Sequence, residues 1–116
     1  MINKSIYRFN QDPQGIGMPF KELIIEDVIR DMGKPEYSGR HVIYKFSNGY
    51  GLSVVMGELF YTDEEHPYEI CPLLHGKLCY DALDPENGDV YPRQTDEDLF
   101  IMIAKLQALP PQGEEK

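Results

Sequence analysis

At 116 residues, with 41% apolar and 27% charged content, the chain fits one domain over residues 1–109 with a flexible tail at 110–116, while nine prolines and ten glycines argue against a long helical bundle. The formal charge of −9 is regional: residues 57–98 hold twelve acidic side chains against two basic ones, Lys77 and Arg93, and so carry −10 by themselves. A field of that sign repels nucleic-acid backbone and anionic lipid and attracts basic surfaces or cations.

In chain order, Ser5-Ile6-Tyr7-Arg8-Phe9 alternates apolar with polar residues and reads as a short edge strand, ended by the turn residues Asp12-Pro13-Gln14-Gly15. From Phe20 to Met32 the apolar residues Phe20, Leu23, Ile24, Val28, Ile29 and Met32 fall at three- and four-residue steps. This spacing predicts an amphipathic helix, with Pro19 suited to its first turn and Gly33 followed by Pro35 as its stop. The β-branched pair Ile24-Ile25 keeps a strand reading open.

Two alternating runs follow, with Val42, Tyr44 and Phe46 on one face of the first and Leu52, Val54 and Met56 on one face of the second. Between them stands Ser47-Asn48-Gly49-Tyr50. Asn-Gly is the preferred pair for a two-residue turn whose central residues both need positive φ, so residues 40–56 read as a tight hairpin, with Gly51 at a bulge or a close backbone approach. A second hairpin is predicted over residues 68–81, breaking at His75-Gly76, with Pro72 marking an edge or an irregularity. Asp84-Pro85-Glu86-Asn87-Gly88-Asp89 lies in a loop reaching Arg93. Thr95 then offers an N-cap oxygen, Asp98 stands three residues later, and Leu99, Met102, Ile103, Leu106 and Leu109 keep helical spacing until Pro110-Pro111. The sum is an α+β fold: an antiparallel sheet of four or five strands built from hairpins, with an N-terminal and a C-terminal helix packed on one face.

The strings Phe46-Ser47-Asn48-Gly49-Tyr50-Gly51-Leu52-Ser53-Val54-Val55, Tyr68-Glu69-Ile70 and Gly76-Lys77-Leu78-Cys79-Tyr80-Asp81 resemble a group of small acidic proteins encoded by bacteriophages and prophages. The resemblance covers residues 40–109 and includes the closing helix. Residues 82–88 depart from it by being longer and more acidic, and the first 39 residues stand outside it. It implies a phage-type accessory protein working in host cytoplasm and assigns no chemistry.

Catalytic and metal motifs are absent in any specific form, and no cofactor is called for. Counted from Asp84, Gly88 is fifth and Thr95 twelfth, whereas a calcium loop of the EF-hand kind needs glycine sixth and a bidentate glutamate twelfth. Asp63-Glu64-Glu65-His66 supplies carboxylates and an imidazole, but four adjacent residues rarely converge on one ion. Cys71 and Cys79 sit in apolar runs and read as free thiols, and an acidic neighbourhood opposes their activation by His66 or His75. Tyr44 and Tyr80 read as filling the core or covering it with the hydroxyl in water. Tyr61 and Tyr91 flank the acidic loops, where an aromatic anchor among steering carboxylates suits a basic partner surface.

The partner-binding residues are therefore Tyr61, Asp63, Glu64, Glu65, Asp84, Glu86, Asp89 and Tyr91, and the partner is a basic surface on a host protein, such as one that handles nucleic acid. Direct nucleic-acid binding lacks a basic stripe. The N-terminus holds no signal-peptide stretch and no run approaches the roughly 18 apolar residues of a membrane span, so the expected location is cytoplasmic. The alternatives are a metal-ion module or metal-dependent enzyme using the same carboxylates, and a phage structural protein or homo-dimer joined through a sheet edge.

Overall fold

The hairpin at residues 40–56 organises the molecule. In the computed structural model, which describes residues 18–30, 39–57 and 65–113, β2 (Gly39–Lys45) and β3 (Tyr50–Met56) pair antiparallel with Val42 opposite Val54 and Tyr44 opposite Leu52. The predicted alternation puts Val42, Tyr44, Phe46, Leu52, Val54 and Met56 on one face, and all six are buried. β1 (Ile24–Arg30) flanks β2, and β4 (Tyr68–Leu74) flanks β3. β4 in turn pairs with β5 (Lys77–Leu78) and with β6 (Tyr91–Gln94), so the described sheet has six strands, every pairing antiparallel.

One helix, α1 (Asp96–Gln107), covers the buried face and sinks Leu99, Met102, Ile103 and Leu106 against β3, β4 and β6. Removal of each such side chain from water contributes about 1.5–3 kcal/mol, which makes this seam the main force holding helix to sheet. Its start follows the sequence signal. Asp98 N–H donates to Thr95 Oγ1 at 3.1 Å and Thr95 N–H donates to Asp98 Oδ2 at 2.9 Å, a reciprocal capping box.

The expected N-terminal helix is not there. Phe20 adopts φ 51°, residues Lys21–Leu23 form a single 3-10 turn, and Ile24–Arg30 continues as a strand. The two-helix α+β arrangement is therefore corrected to a mostly antiparallel sheet carrying one helix among the described residues. A register shift between Ile24 and Glu26 explains the misleading period. It breaks the strict alternation, so that Ile24 packs on the core while Ile25 and Val28 stay exposed, and the apolar positions drift into three- and four-residue steps. The predicted strand at residues 5–9 lies outside the described residues.

The left-handed two-residue turn foreseen at Asn48-Gly49 is found at the other hairpin. Only Gly49 of the Asn48-Gly49 pair has positive φ (93°), and Gly49 N–H reaches back to the Phe46 carbonyl, so residues 47–49 form a three-residue loop instead of a two-residue turn. The two-residue turn with both central residues left-handed is His75 (φ 51°) and Gly76 (φ 81°), between the paired residues Leu74 and Lys77. Gly51 serves as a close-approach glycine, since a Cβ there would collide with the Tyr44 carbonyl oxygen. Pro72 stands inside central β4, opposite Leu52. Its carbonyl accepts from Cys79 N–H at 2.8 Å, which aims the edge bearing the missing amide at the point where β4 changes partner from β6 to β5.

Two buried polar residues complete the frame. Arg40 donates from Nε and Nη2 to both carboxylate oxygens of Asp27, at 2.8 and 2.7 Å, tying β2 to β1 on the inner face. Asn48 donates from Nδ2 to the carbonyls of Leu106 (2.8 Å) and Leu109 (3.1 Å), so the hairpin loop caps the C-terminus of α1. The first part of the expected flexible tail is attached to the same place, with Gln112 N–H bonded to the Asn48 carbonyl. Among the described residues no helix is long and apolar enough to cross a membrane.

Candidate functional site

Residues 79–90 leave β5 and return as β6. The loop carries Asp81, Asp84, Glu86 and Asp89, and all four are exposed. Its shape is set from within. Asn87 is the hub: its Nδ2 donates to the carbonyls of Tyr80 (2.8 Å) and Asp89 (2.7 Å), and its own N–H donates to the Asp84 carbonyl (2.9 Å). Asp84 Oδ1 accepts from Glu86 N–H, the short side-chain turn that Asp favours, and Asp89 Oδ1 accepts from the adjacent Val90 N–H. The carboxylates thus spend some acceptor capacity on backbone, and among the described residues none of these four forms an ion pair.

The pairing of β6 with β4 brings this loop beside Glu69. Burial pushes the Glu69 carboxyl above its ordinary value, and the negative charge of Asp89 pushes it further. Burial likewise raises the Tyr91 phenol, with Asp84 as the next contributor. Glu69 is thus a fifth member of the acidic surface that the sequence reading missed, because only the β4–β6 pairing brings it near Asp89.

Of the predicted partner-binding residues, Asp84, Glu86 and Asp89 stand together on this one loop. Glu65 is exposed, just before β4. Tyr91 is half-buried and packs on the hydrophobic core, so it supports the acidic surface more than it offers a free aromatic face. Tyr61, Asp63 and Glu64 lie outside the described residues. Tyr44 is a core residue, its hydroxyl donating to the Pro19 carbonyl at 2.7 Å, and Tyr80 is partly buried.

The thiols have no activation. Both are free; burial raises Cys71, partly offset by the Cys79 backbone amide, and burial followed by the hydrogen bond to Asp81 raises Cys79. A thiol held above its ordinary value is protonated at neutral pH and a poor nucleophile. Among the described residues no three of His, Cys, Asp and Glu converge as a metal-ligand set. With this geometry in place, comparison against protein-family models, curated proteins and solved structures finds no match to the chain.

The raised Glu69 carboxyl carries a pH signature. Its folded-state value lies above its unfolded one, so the stability linked to it is present at acid pH and is lost as pH rises through the folded value. Glu69→Gln is therefore expected to raise the thermal midpoint near pH 7 and to leave it unchanged at about pH 3, where both states carry a neutral carboxyl. Melts across that range check it; a lower midpoint for the variant at neutral pH would show the carboxylate to be stabilising instead.

Proposed function

We propose that this chain is a non-enzymatic accessory protein of phage type which, in host cytoplasm, docks the acidic loop at residues 79–90 onto a basic surface of a host protein. The observation that carries this reading is a single ordered loop presenting Asp81, Asp84, Glu86 and Asp89 to solvent with no cationic partner among the described residues. Exposed charge of one sign steers encounter and speeds association with a complementary surface. A loop already braced by Asn87 loses little conformational freedom on docking, which lowers the cost of binding. Raised thiols and the lack of a ligand triad among the described residues offer no comparable support to a catalytic or metal-dependent reading.

The test separates the loop from net charge. In one variant Asp81→Asn, Asp84→Asn and Glu86→Gln remove three charges while leaving each side chain one amide oxygen, enough to accept the bonds that Asp81 and Asp84 now take from Cys79 and Glu86. In the control, Glu22→Gln, Glu26→Gln and Glu97→Gln remove three exposed charges elsewhere. Each is used to capture basic proteins from a bacterial lysate over a salt series. The wild type and the control are expected to retain the same partner with affinity falling as salt rises, and the loop variant to lose it. Equal capture by both variants overturns the reading.

A further inference from the structure

A cleft of about 680 Å3 opens at the end of the sheet where the loop at residues 47–49, the His75-Gly76 turn and the segment around Gln112 meet. It is separate from the acidic surface, since no residue of 79–90 lines it. Its volume lies within the roughly 300–1,000 Å3 typical of small-molecule sites.

Backbone bonds lock its walls together. His75 N–H donates to the Gly49 carbonyl and Gln112 N–H to the Asn48 carbonyl, both at 2.9 Å. A Cβ on Gly49 would lie 2.9 Å from His75 Cε1 and 3.0 Å from the Gln112 carbonyl oxygen, so the imidazole rests directly on the glycine. His75 itself occupies the left-handed region at φ 51°, a turn position where Asn or Gly would fit at lower cost.

The charge of the lining is the reverse of the chain's. Among the described residues Lys45, Lys77 and His75 line the cleft and no Asp or Glu does, in a protein with 20 acidic and 11 basic residues. Beside the two lysines lie Ile43, Leu73 and Ile25, and Ile25 is 64% exposed, a large apolar side chain left in water at the cleft wall. Cations next to an uncovered apolar wall match one chemistry: an anionic head joined to an apolar body.

We infer that this cleft binds a small amphiphilic organic anion, its carboxylate or phosphate held by Lys45 and Lys77 and its apolar part lying on Ile25, Ile43 and Leu73. His75 forms part of the wall beside the head group. The head group alone binds weakly, because surface ion pairs contribute little in water and the apolar contact supplies much of the driving force.

Titration of the full chain with octanoate, octyl phosphate, octylamine and acetate, followed by amide NMR, tests this. Octanoate or octyl phosphate is expected to shift the Gly49, Gly51 and Gly76 amides saturably, the tighter of the two identifying the head group, while octylamine and acetate do not. A Lys45→Ala/Lys77→Ala variant, whose spectrum away from the cleft reports its folding, is expected to bind at least about tenfold more weakly. Octylamine binding as well as the anions, undiminished affinity in the variant, or the absence of saturable shifts up to about 10 mM anion overturns the inference.

Discussion

Arg40→Ala is expected to lower the unfolding free energy by about 3–5 kcal/mol, the usual result of removing one partner from a buried ion pair. Arg40 is 2% exposed and the Asp27 side chain 14%, and the two meet through two parallel charge-assisted bonds. Asp27 lies opposite Val42 on β1, so its carboxylate points to the same inner face as Arg40. Without the guanidinium that carboxylate remains in a poorly solvated place, and the variant bears the cost of a buried lone charge on top of the lost bonds. A domain of this size holds only about 5–15 kcal/mol in total, so a large fraction of its stability is at stake.

Replacing both partners has a different outcome. Arg40→Met with Asp27→Leu is expected to fall close to the wild type or above it, because an apolar pair of similar volume avoids desolvating two ions. Urea unfolding measures both: the midpoint moves strongly for the single variant and little for the double one, at constant slope. A loss below about 1 kcal/mol for Arg40→Ala would mean that water reaches Asp27 and that the pair behaves as a surface ion pair.

The second large effect is expected at Asn48. Asn48→Ala strips a donor from two carbonyls at the end of α1 and an acceptor from Tyr50 N–H, with an expected cost of about 2–3 kcal/mol. Asn48→Asp is expected to cost more than Asn48→Ala. An ionised carboxylate cannot donate, and it would set a negative charge against the negative end of the helix. Urea unfolding orders the three proteins, and hydrogen exchange of the last helical turn locates the damage there. If Asp is tolerated better than Ala, Asn48 acts through its own loop geometry and not through the helix.

Asn48 also shows where sequence reading stopped. The Asn-Gly pair announces a hairpin, and a hairpin is found, but the pair reads as a left-handed turn because that is the cheapest local use of it. In the fold Asn48 is committed to the carbonyls of Leu106 and Leu109, some sixty residues away, and only Gly49 takes positive φ. The turn chemistry expected there appears instead at His75-Gly76, where the sequence announces a break between strands but not the type of turn. The acidic surface was partly legible in the same sense. Asp84, Glu86 and Asp89 are near one another in sequence and remain so in space, whereas the approach of Glu69 depends on β6, a strand with only Tyr91 as an apolar marker and with Pro92 inside it.

By itself the sequence determined the β2–β3 hairpin, with its inward row of Val42, Tyr44, Phe46, Leu52, Val54 and Met56, and the helix opened by Thr95 and Asp98. These signals act between residues a few positions apart: side-chain alternation along a strand, and a cap whose two hydrogen bonds span three residues. Tertiary structure alone decided that residues 24–30 extend as β1 and that residues 91–94 form β6. A strand leaves its backbone donors and acceptors unsatisfied until a neighbour supplies them, so its stability resides in the partner. For β1 that partner is β2, held by the Asp27–Arg40 pair; the β-branched Ile24-Ile25 left a strand open, but nothing within residues 20–32 selects it over a helix.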